Sequence, residues 1–208
     1  IAHLAAVPSL VTSCFLNAPS MKARDVRRIA LAVYPFLKAE LFLPWDDKGF
    51  LETVDGCLAW LLKHGLLVHK DEDGPLEKPE GGTREDLQLR VMGHALLQTF
   101  ERSYITVAVL AKNGSGTLSR SELERLCILT AQRISQLNEF AAPEFYDRNQ
   151  IRQFIKLLLD SGILTTNEDE KLEYNSVIQQ INEDSRFVLS EEIRYNIMRV
   201  APQVLAEE

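Results

Sequence analysis

Helical periodicity is the feature of this sequence that most constrains its fold. One apolar stripe recurs at i, i+3, i+4, i+7 and i+8, the spacing that places side chains on a single face of a helix; it consists of Ile151, Phe154, Ile155, Leu158 and Leu159. Similar patterns predict helices over residues 21–43, 51–62, 86–111, 119–137 and 176–200. Ser119 followed by Glu122 forms a capping box, in which two side chains satisfy free backbone N–H groups at a helix start. These patterns predict a mainly α protein.

Two segments share the order helix, glycine, short strand, polar turn, short strand. The first contains Gly65 and the second contains Gly162, and glycine suits the left-handed conformation in which many helices end. We therefore predict a helical bundle-like body with two short β-hairpins, and tandem winged-helix-like units are one interpretation. A linker near residue 80 divides the chain into an N-terminal helical unit with a hairpin, residues 1–80, and a C-terminal helical unit with a hairpin, residues 81–208. The two units can also pack as one domain.

Charge and cysteine content narrow the functional classes. The sequence has 30 Asp and Glu against 23 Lys and Arg, and its formal net charge of −7 repels nucleic-acid phosphates. Cys14, Cys57 and Cys127 stand apart with no CxxC spacing, so we expect thiols in the cytoplasm. No apolar run approaches the roughly 20 residues that span a bilayer, so membrane contact is expected to be peripheral. Because the chain starts inside an apolar segment at Ile1, we expect it to be a fragment.

Several short motifs carry a family resemblance in combination. They are Val7–Val11, Leu37–Asp46 with its Trp-Asp pair, the Arg-x-Tyr-x-Thr pattern at Arg102–Thr106, Ala131–Arg133, and the Pro-Glu-Phe-Tyr-Asp element at Pro143–Asp147. The combination resembles the C-terminal region of the bacterial glycerol-3-phosphate 1-O-acyltransferases, downstream of their catalytic domain.

The resemblance implies a function for the parent protein. It implies acyl transfer from acyl-carrier-protein or coenzyme A thioesters to glycerol 3-phosphate, the first step of phospholipid synthesis, at the cytoplasmic face of the bacterial inner membrane. The implied partners are an upstream catalytic domain, which binds both substrates outside this segment, and an anionic membrane surface. It implies neither a cofactor nor nucleic acid.

The acyltransferase superfamily uses a His-x4-Asp dyad, in which the imidazole is the general base and Asp orients it. The residues five positions after His3, His64, His69 and His94 are Pro8, His69, Gly74 and Thr99. No histidine therefore completes the dyad, and His64 with His69 lacks further metal ligands. The sequence predicts no catalytic, cofactor or metal residue here, and a segment that is inactive alone.

A glycine-containing stretch, Pro79–Arg84, is similar to the superfamily's phosphate-binding Glu-Gly-Thr-Arg motif. It has an extra glycine, and two acidic residues, Glu85 and Asp86, follow it. We interpret it as a linker in which Thr83 caps the next helix.

Two sets of residues are candidates for contact with a membrane or with the catalytic domain. The aromatic set is Phe42, Trp45, Phe145 and Tyr146, and the basic stripe is Arg148, Arg152 and Lys156. Aromatic side chains suit protein interfaces and the lipid interface, while a basic stripe suits anionic headgroups. The alternatives are packing in the chain's own core for the aromatic set and simple solvation for the stripe.

A different class of function also fits the predicted fold. Tandem winged-helix-like units are typical of modules that bind DNA or protein, and the helix with the basic stripe would be the reading element. The net charge of −7 and the acidic turns oppose DNA, which leaves a non-enzymatic protein-binding module as the alternative.

Overall fold

The computed structural model describes residues 2–41, 43–71, 74–138 and 147–204. Its helices are α1 (Ala2–Ser13), α2 (Ala23–Leu41), α3 (Asp47–Lys63), α4 (Arg84–His94), α5 (Leu97–Asn113), α6 (Arg120–Asn138), α7 (Arg148–Asp160), α8 (Ser176–Val188) and α9 (Glu191–Val200). Its strands are β1 (Ser20–Met21), β2 (Val68–His69), β3 (Leu76–Glu77), β4 (Leu164–Thr166) and β5 (Leu172–Tyr174). The predicted mainly α fold with two short hairpins is confirmed. Within the described residues, no helix has the length and apolarity needed to cross a bilayer.

The chain forms two compact units, Ile1–Gln98 and Thr99–Glu208. Helix α4 packs against α1 and so belongs to the first unit. The proposed domains, 1–80 and 81–208, stay a prediction, since packing alone does not measure which segments fold independently.

Helix α1 is the centre of the first unit and packs against α2, α3 and α4. Leu10 and Val11 are fully buried, and Gly93 of α4 lies so close that an added Cβ would be 3.0 Å from the Leu16 side chain. The sequence patterns did not predict α1. A mostly apolar helix is buried but has no amphipathic periodicity, and this one also contains Pro8, a residue type that usually kinks or ends a helix.

The first unit contains a three-stranded antiparallel sheet in the order β1-β3-β2. The β2–β3 pair, with His69 opposite Leu76, is the first predicted hairpin. Gly65 follows α3 with a positive φ of 70°, as its predicted role at the helix end requires. Strand β1 also pairs with β3, through Met21 opposite Leu76. It was not predicted because a two-residue strand leaves no periodicity.

The second unit is built around α5. Tyr104 through Leu110 are all buried, so this β-branched stretch is a helix surrounded by protein, as predicted. Helix α6 packs against α7 and α9, and α8 packs against α9. Tertiary burial here outweighs the strand propensity of Ile, Thr and Val.

The second hairpin, β4–β5, has Leu164 opposite Tyr174. It is attached to the loop before α6, because the Leu172 N–H donates to the Leu118 carbonyl at 2.7 Å and the Gly116 N–H donates to the Leu172 carbonyl at 2.9 Å. The glycine-containing loop after α5 is thus a structural support for the hairpin.

Two predicted helices are each divided in the structure. The helix expected over 86–111 is two helices, α4 and α5, and the helix expected over 176–200 is α8 and α9, separated where Ser190 caps α9. Each break is two residues long and preserves apolar periodicity on both sides, so the pattern alone conceals it. Helix α2 is continuous through Pro35, a residue that often kinks or divides a helix.

Candidate functional site

The basic stripe lies on the outer face of α7. Arg148, Arg152 and Lys156 are exposed, whereas Ile151 and Ile155 of the same helix are buried. The structure therefore brings the three predicted basic residues together on one surface. Their spacing of four residues makes this a necessary result of the helix geometry.

The three charges are not equivalent. The Nε of Arg152 donates to the Oε1 of Glu124 on α6 at 2.6 Å, so this guanidinium is held by an internal ion pair. Arg148 and Lys156 form no ion pair with any residue that the structure describes. These two charges are consequently available to an external anion.

Arg148 lies at the N-terminal end of α7, where a positive charge is unfavourable for the helix. It is the first residue of α7, after the Asp147 cap, whose carboxylate accepts from the Asn149 N–H at 2.8 Å. Helix N-termini carry partial positive charge, so a cation there opposes the helix dipole. Arg148 thus does not stabilise α7 electrostatically, which is consistent with a role outside the fold.

Of the four aromatic candidates, the structure describes only Trp45. Trp45, in the first unit, is half-buried, and its carbonyl accepts hydrogen bonds from the Tyr34 hydroxyl and the Lys38 ammonium, both at 2.6 Å. Phe42, Phe145 and Tyr146 lie outside the described residues. Contact of these aromatic residues with a membrane or another domain stays a prediction.

Glu122 joins the start of α6 to the second hairpin. The Ser119 N–H donates to Glu122 Oε2 at 2.7 Å, and the Ser119 Oγ accepts from the Glu122 N–H at 3.3 Å, which confirms the predicted capping box. The Lys171 ammonium also donates to Glu122 Oε2, at 2.9 Å. The backbone hydrogen bond from Ser119, followed by that from Lys171, lowers the pKa of Glu122 to about 2.

Replacing Glu122 by glutamine is expected to remove pH-dependent stability. Because the folded pKa is below the ordinary glutamate value of 4.5, the stabilisation is present above pH 4.5 and is lost as pH falls toward 2. The side chain is 35% exposed and partly screened by water, so we expect a loss of about 1–2 kcal/mol at neutral pH. Urea unfolding followed by circular dichroism should show the two proteins converging in stability below pH 4.5. Glu168→Gln, at an exposed turn position, is the control, and a constant difference across pH would contradict the assignment.

The described residues offer little chemistry for acyl transfer. His64 and His69 are exposed, and the exposed His94 ring nitrogen Nδ1 bonds to the Arg90 carbonyl at 2.6 Å. Burial raises the pKa of the Cys57 thiol to about 11 and that of Cys127 to about 12, which leaves both thiols protonated and weakly nucleophilic at neutral pH. No group of three or more His, Cys, Asp and Glu in the described parts of the chain is placed to hold a metal ion.

The stretch that is similar to a phosphate-binding motif, Pro79–Arg84, contributes to the N-terminal cap of α4. Thr83 Oγ1 accepts from the Asp86 N–H at 3.1 Å, and the Gly82 N–H donates to the Asp86 carboxylate at 3.2 Å. That carboxylate also pairs with Arg90 at 3.0 Å. The predicted cap at Thr83 is confirmed. The Gly82 N–H already has an acceptor within the protein, the Asp86 carboxylate.

The second unit contains a polar groove that the sequence did not predict. The groove has a volume of about 500 Å³ and is lined by Tyr104, Asn182, Glu183, Arg186, Glu191, Arg194, Tyr195 and Met198. These residues come from α5, α8 and α9. No sequence spacing signals such a site, because the packing of three separate helices creates it.

Comparison with known proteins places the chain in a family. A family model described as the glycerol-3-phosphate acyltransferase C-terminal region matches residues 1–167. The chain belongs to this family. Curated relatives named glycerol-3-phosphate acyltransferase extend the similarity to nearly the whole chain. The protein from Xanthomonas campestris pv. campestris is 40% identical over 205 residues, which are 98% of this chain and 23% of the relative.

Two further relatives agree in name and extent. The Xylella fastidiosa protein is 38% identical over 98% of this chain and 24% of its own length. The Pseudomonas savastanoi pv. phaseolicola protein is 38% identical over 100% of this chain and 25% of its own length. The chain therefore spans about a quarter of the curated relatives it matches. Membership of this family does not favour the winged-helix alternative.

Proposed function

We propose that this chain is the accessory C-terminal region of a longer glycerol-3-phosphate acyltransferase. The longer protein would transfer an acyl group from acyl-carrier-protein or coenzyme A thioesters to glycerol 3-phosphate, the first step of phospholipid synthesis. The family match over residues 1–167 is the observation that carries the proposal. The relatives are about four times longer than the matched segment, which supports an upstream catalytic domain as its partner.

The chemistry of the described residues supports an accessory role. A general base for the acceptor hydroxyl needs a partner that orients it, and the sequence has no Asp five residues after any histidine. Protonated Cys57 and Cys127 are poor nucleophiles. We infer that both substrates bind outside this segment and that the segment alone is inactive. Assaying acyl transfer by this chain alone and by the longer protein tests the proposal.

The basic stripe suggests how this region would contribute to membrane association. Arg148 and Lys156 are exposed and form no ion pair with the residues that the structure describes, and basic residues bind the surface of anionic bilayers. We place the stripe against the cytoplasmic face of the bacterial inner membrane as a peripheral contact. The net charge of −7 means that attraction would have to come from this local surface and not from the chain as a whole.

Neutralising the two unpaired charges of the stripe is expected to weaken binding to anionic vesicles. Each basic residue near such a surface contributes about 1 kcal/mol, so Arg148→Gln with Lys156→Gln should weaken binding by about 30-fold. Flotation with vesicles of phosphatidylcholine, with and without phosphatidylglycerol, measures this change. The predicted binding requires phosphatidylglycerol and decreases at high salt.

A matched control is available on α6. Arg120→Gln with Arg125→Gln removes the same number of charges from exposed positions of the same unit, so it separates the stripe from net charge. Equal loss in both double variants would point to net charge alone. Absence of flotation with phosphatidylglycerol would rule out this membrane contact.

A further inference from the structure

The groove between α5, α8 and α9 contains charged groups that are not paired with each other. Glu183 and Arg186 are three residues apart on α8, and Glu191 and Arg194 are three apart on α9, a spacing that permits ion pairs. Among the residues that the structure describes, neither arginine forms such a pair. The groove therefore presents two guanidinium groups that no described carboxylate pairs with.

Arg194 differs from an ordinary solvated arginine. Its side chain lines the groove, but its Nε is buried and has no hydrogen-bond acceptor within the described part of the chain. The neighbouring Tyr104 hydroxyl does not accept from this Nε–H, and its own proton goes to Asn182 Oδ1 at 2.9 Å. A buried guanidinium N–H without an acceptor is costly, and such a group in a native fold calls for a bound ion or water as its partner.

We propose that this groove binds a small anion, a single phosphate or carboxylate group, through Arg194. A rotation of the guanidinium would turn its Nε–Nη edge toward the groove, and arginine uses that edge for bidentate binding of both anions. Arg186, exposed on α8, supplies a second positive charge. All of the lining residues except Tyr104 lie beyond residue 167, where the match to the family model ends.

The carboxylates of the groove limit the ligand. Glu183 and Glu191 also line it, and they would repel a ligand with several negative charges. One compact anionic group at Arg194 fits this mixture of charges better than a polyanion does. The anion is either a free phosphate or carboxylate compound or the headgroup of an anionic lipid.

Titrating the 208-residue chain with sodium phosphate at constant ionic strength tests the site, and sodium acetate serves as the carboxylate probe. We expect one of these salts to cause saturable NMR shifts of the Arg194 Nε–H and of the backbone amides of α8 and α9. Arg194→Met, which retains the apolar stem, should weaken this binding by about tenfold or more. Arg194→Lys should retain part of it, because the charge remains but the planar fork is lost.

Arg125→Gln, an exposed change on α6, should bind as tightly as the original chain. Flotation of Arg194→Met with phosphatidylglycerol vesicles distinguishes the sources: loss of flotation without a response to the salts assigns a lipid headgroup, and a response to a salt with unchanged flotation assigns a free anion. Shifts that persist unchanged in Arg194→Met, or no response to either salt and no change in flotation, would overturn the proposal.

Discussion

Replacing Phe50 by alanine is expected to lower the free energy of unfolding of the first unit by about 3–5 kcal/mol. Phe50 is fully buried in α3, and its ring is stacked on Tyr34 of α2 with centroids 3.8 Å apart and an angle of 14° between the planes. Truncation removes buried apolar surface, leaves a cavity, and deprives Tyr34 of its stacked partner. The stacked pair joins α2 to α3, so the loss reaches both helices.

Tryptophan fluorescence can measure the loss of stability in the first unit separately from the second. The chain has two tryptophans, Trp45 and Trp60, and both lie in the first unit. Guanidinium unfolding followed by tryptophan emission should therefore show the destabilisation directly, while circular dichroism reports on both units.

Trp60→Ala is the matched control for Phe50→Ala. Trp60 lies on the same helix as Phe50 but is 48% exposed, so its truncation should cost less than about 1 kcal/mol. Phe50→Leu should cost about 1–2 kcal/mol, because it retains most of the apolar volume. Equal losses for Phe50→Ala and Trp60→Ala would show that the stacked pair does not hold α2 to α3.

Local signals in the sequence predict those parts of the fold that depend on neighbouring residues. The capping box at Ser119 and Glu122 and the stripe that buries Ile151 and Ile155 are determined within one or two helical turns. The hydrogen-bond partner of Glu122 on the distant hairpin, Lys171, is set by tertiary packing and has no local signature.

Features set by tertiary packing were missed for the same reason. Strand β1 has two residues, and α1 lacks periodicity because it is surrounded by other helices. The groove at Arg194 depends on the packing of α8 against α9 and on the buried position of Tyr104. In the basic stripe, the sequence predicted a shared face but not that Glu124 would bind one of its three charges.

The second large effect concerns catalysis by the longer protein. We expect deletion of the region corresponding to residues 1–208 to lower acyl transfer by at least about tenfold, equivalent to about 1.4 kcal/mol or more in the activation barrier. Under the proposed function, this region supports the catalytic domain or its position at the membrane without contributing reacting groups. Restoring the region in the same polypeptide should restore the rate. In this setting Phe50→Ala should lower the rate at elevated temperature, where the first unit unfolds.

The most direct measurement is acyl transfer by the 208-residue chain alone, beside the longer protein at equal concentration. With glycerol 3-phosphate and a long-chain acyl-coenzyme A, release of the free thiol can be followed continuously, and formation of the acylated product confirms transfer. We expect thiol release and product with the longer protein, and neither with the folded chain alone. Glycerol 3-phosphate-dependent product formation by the purified chain would overturn the proposed accessory role, because the reacting groups would then have to lie within residues 1–208.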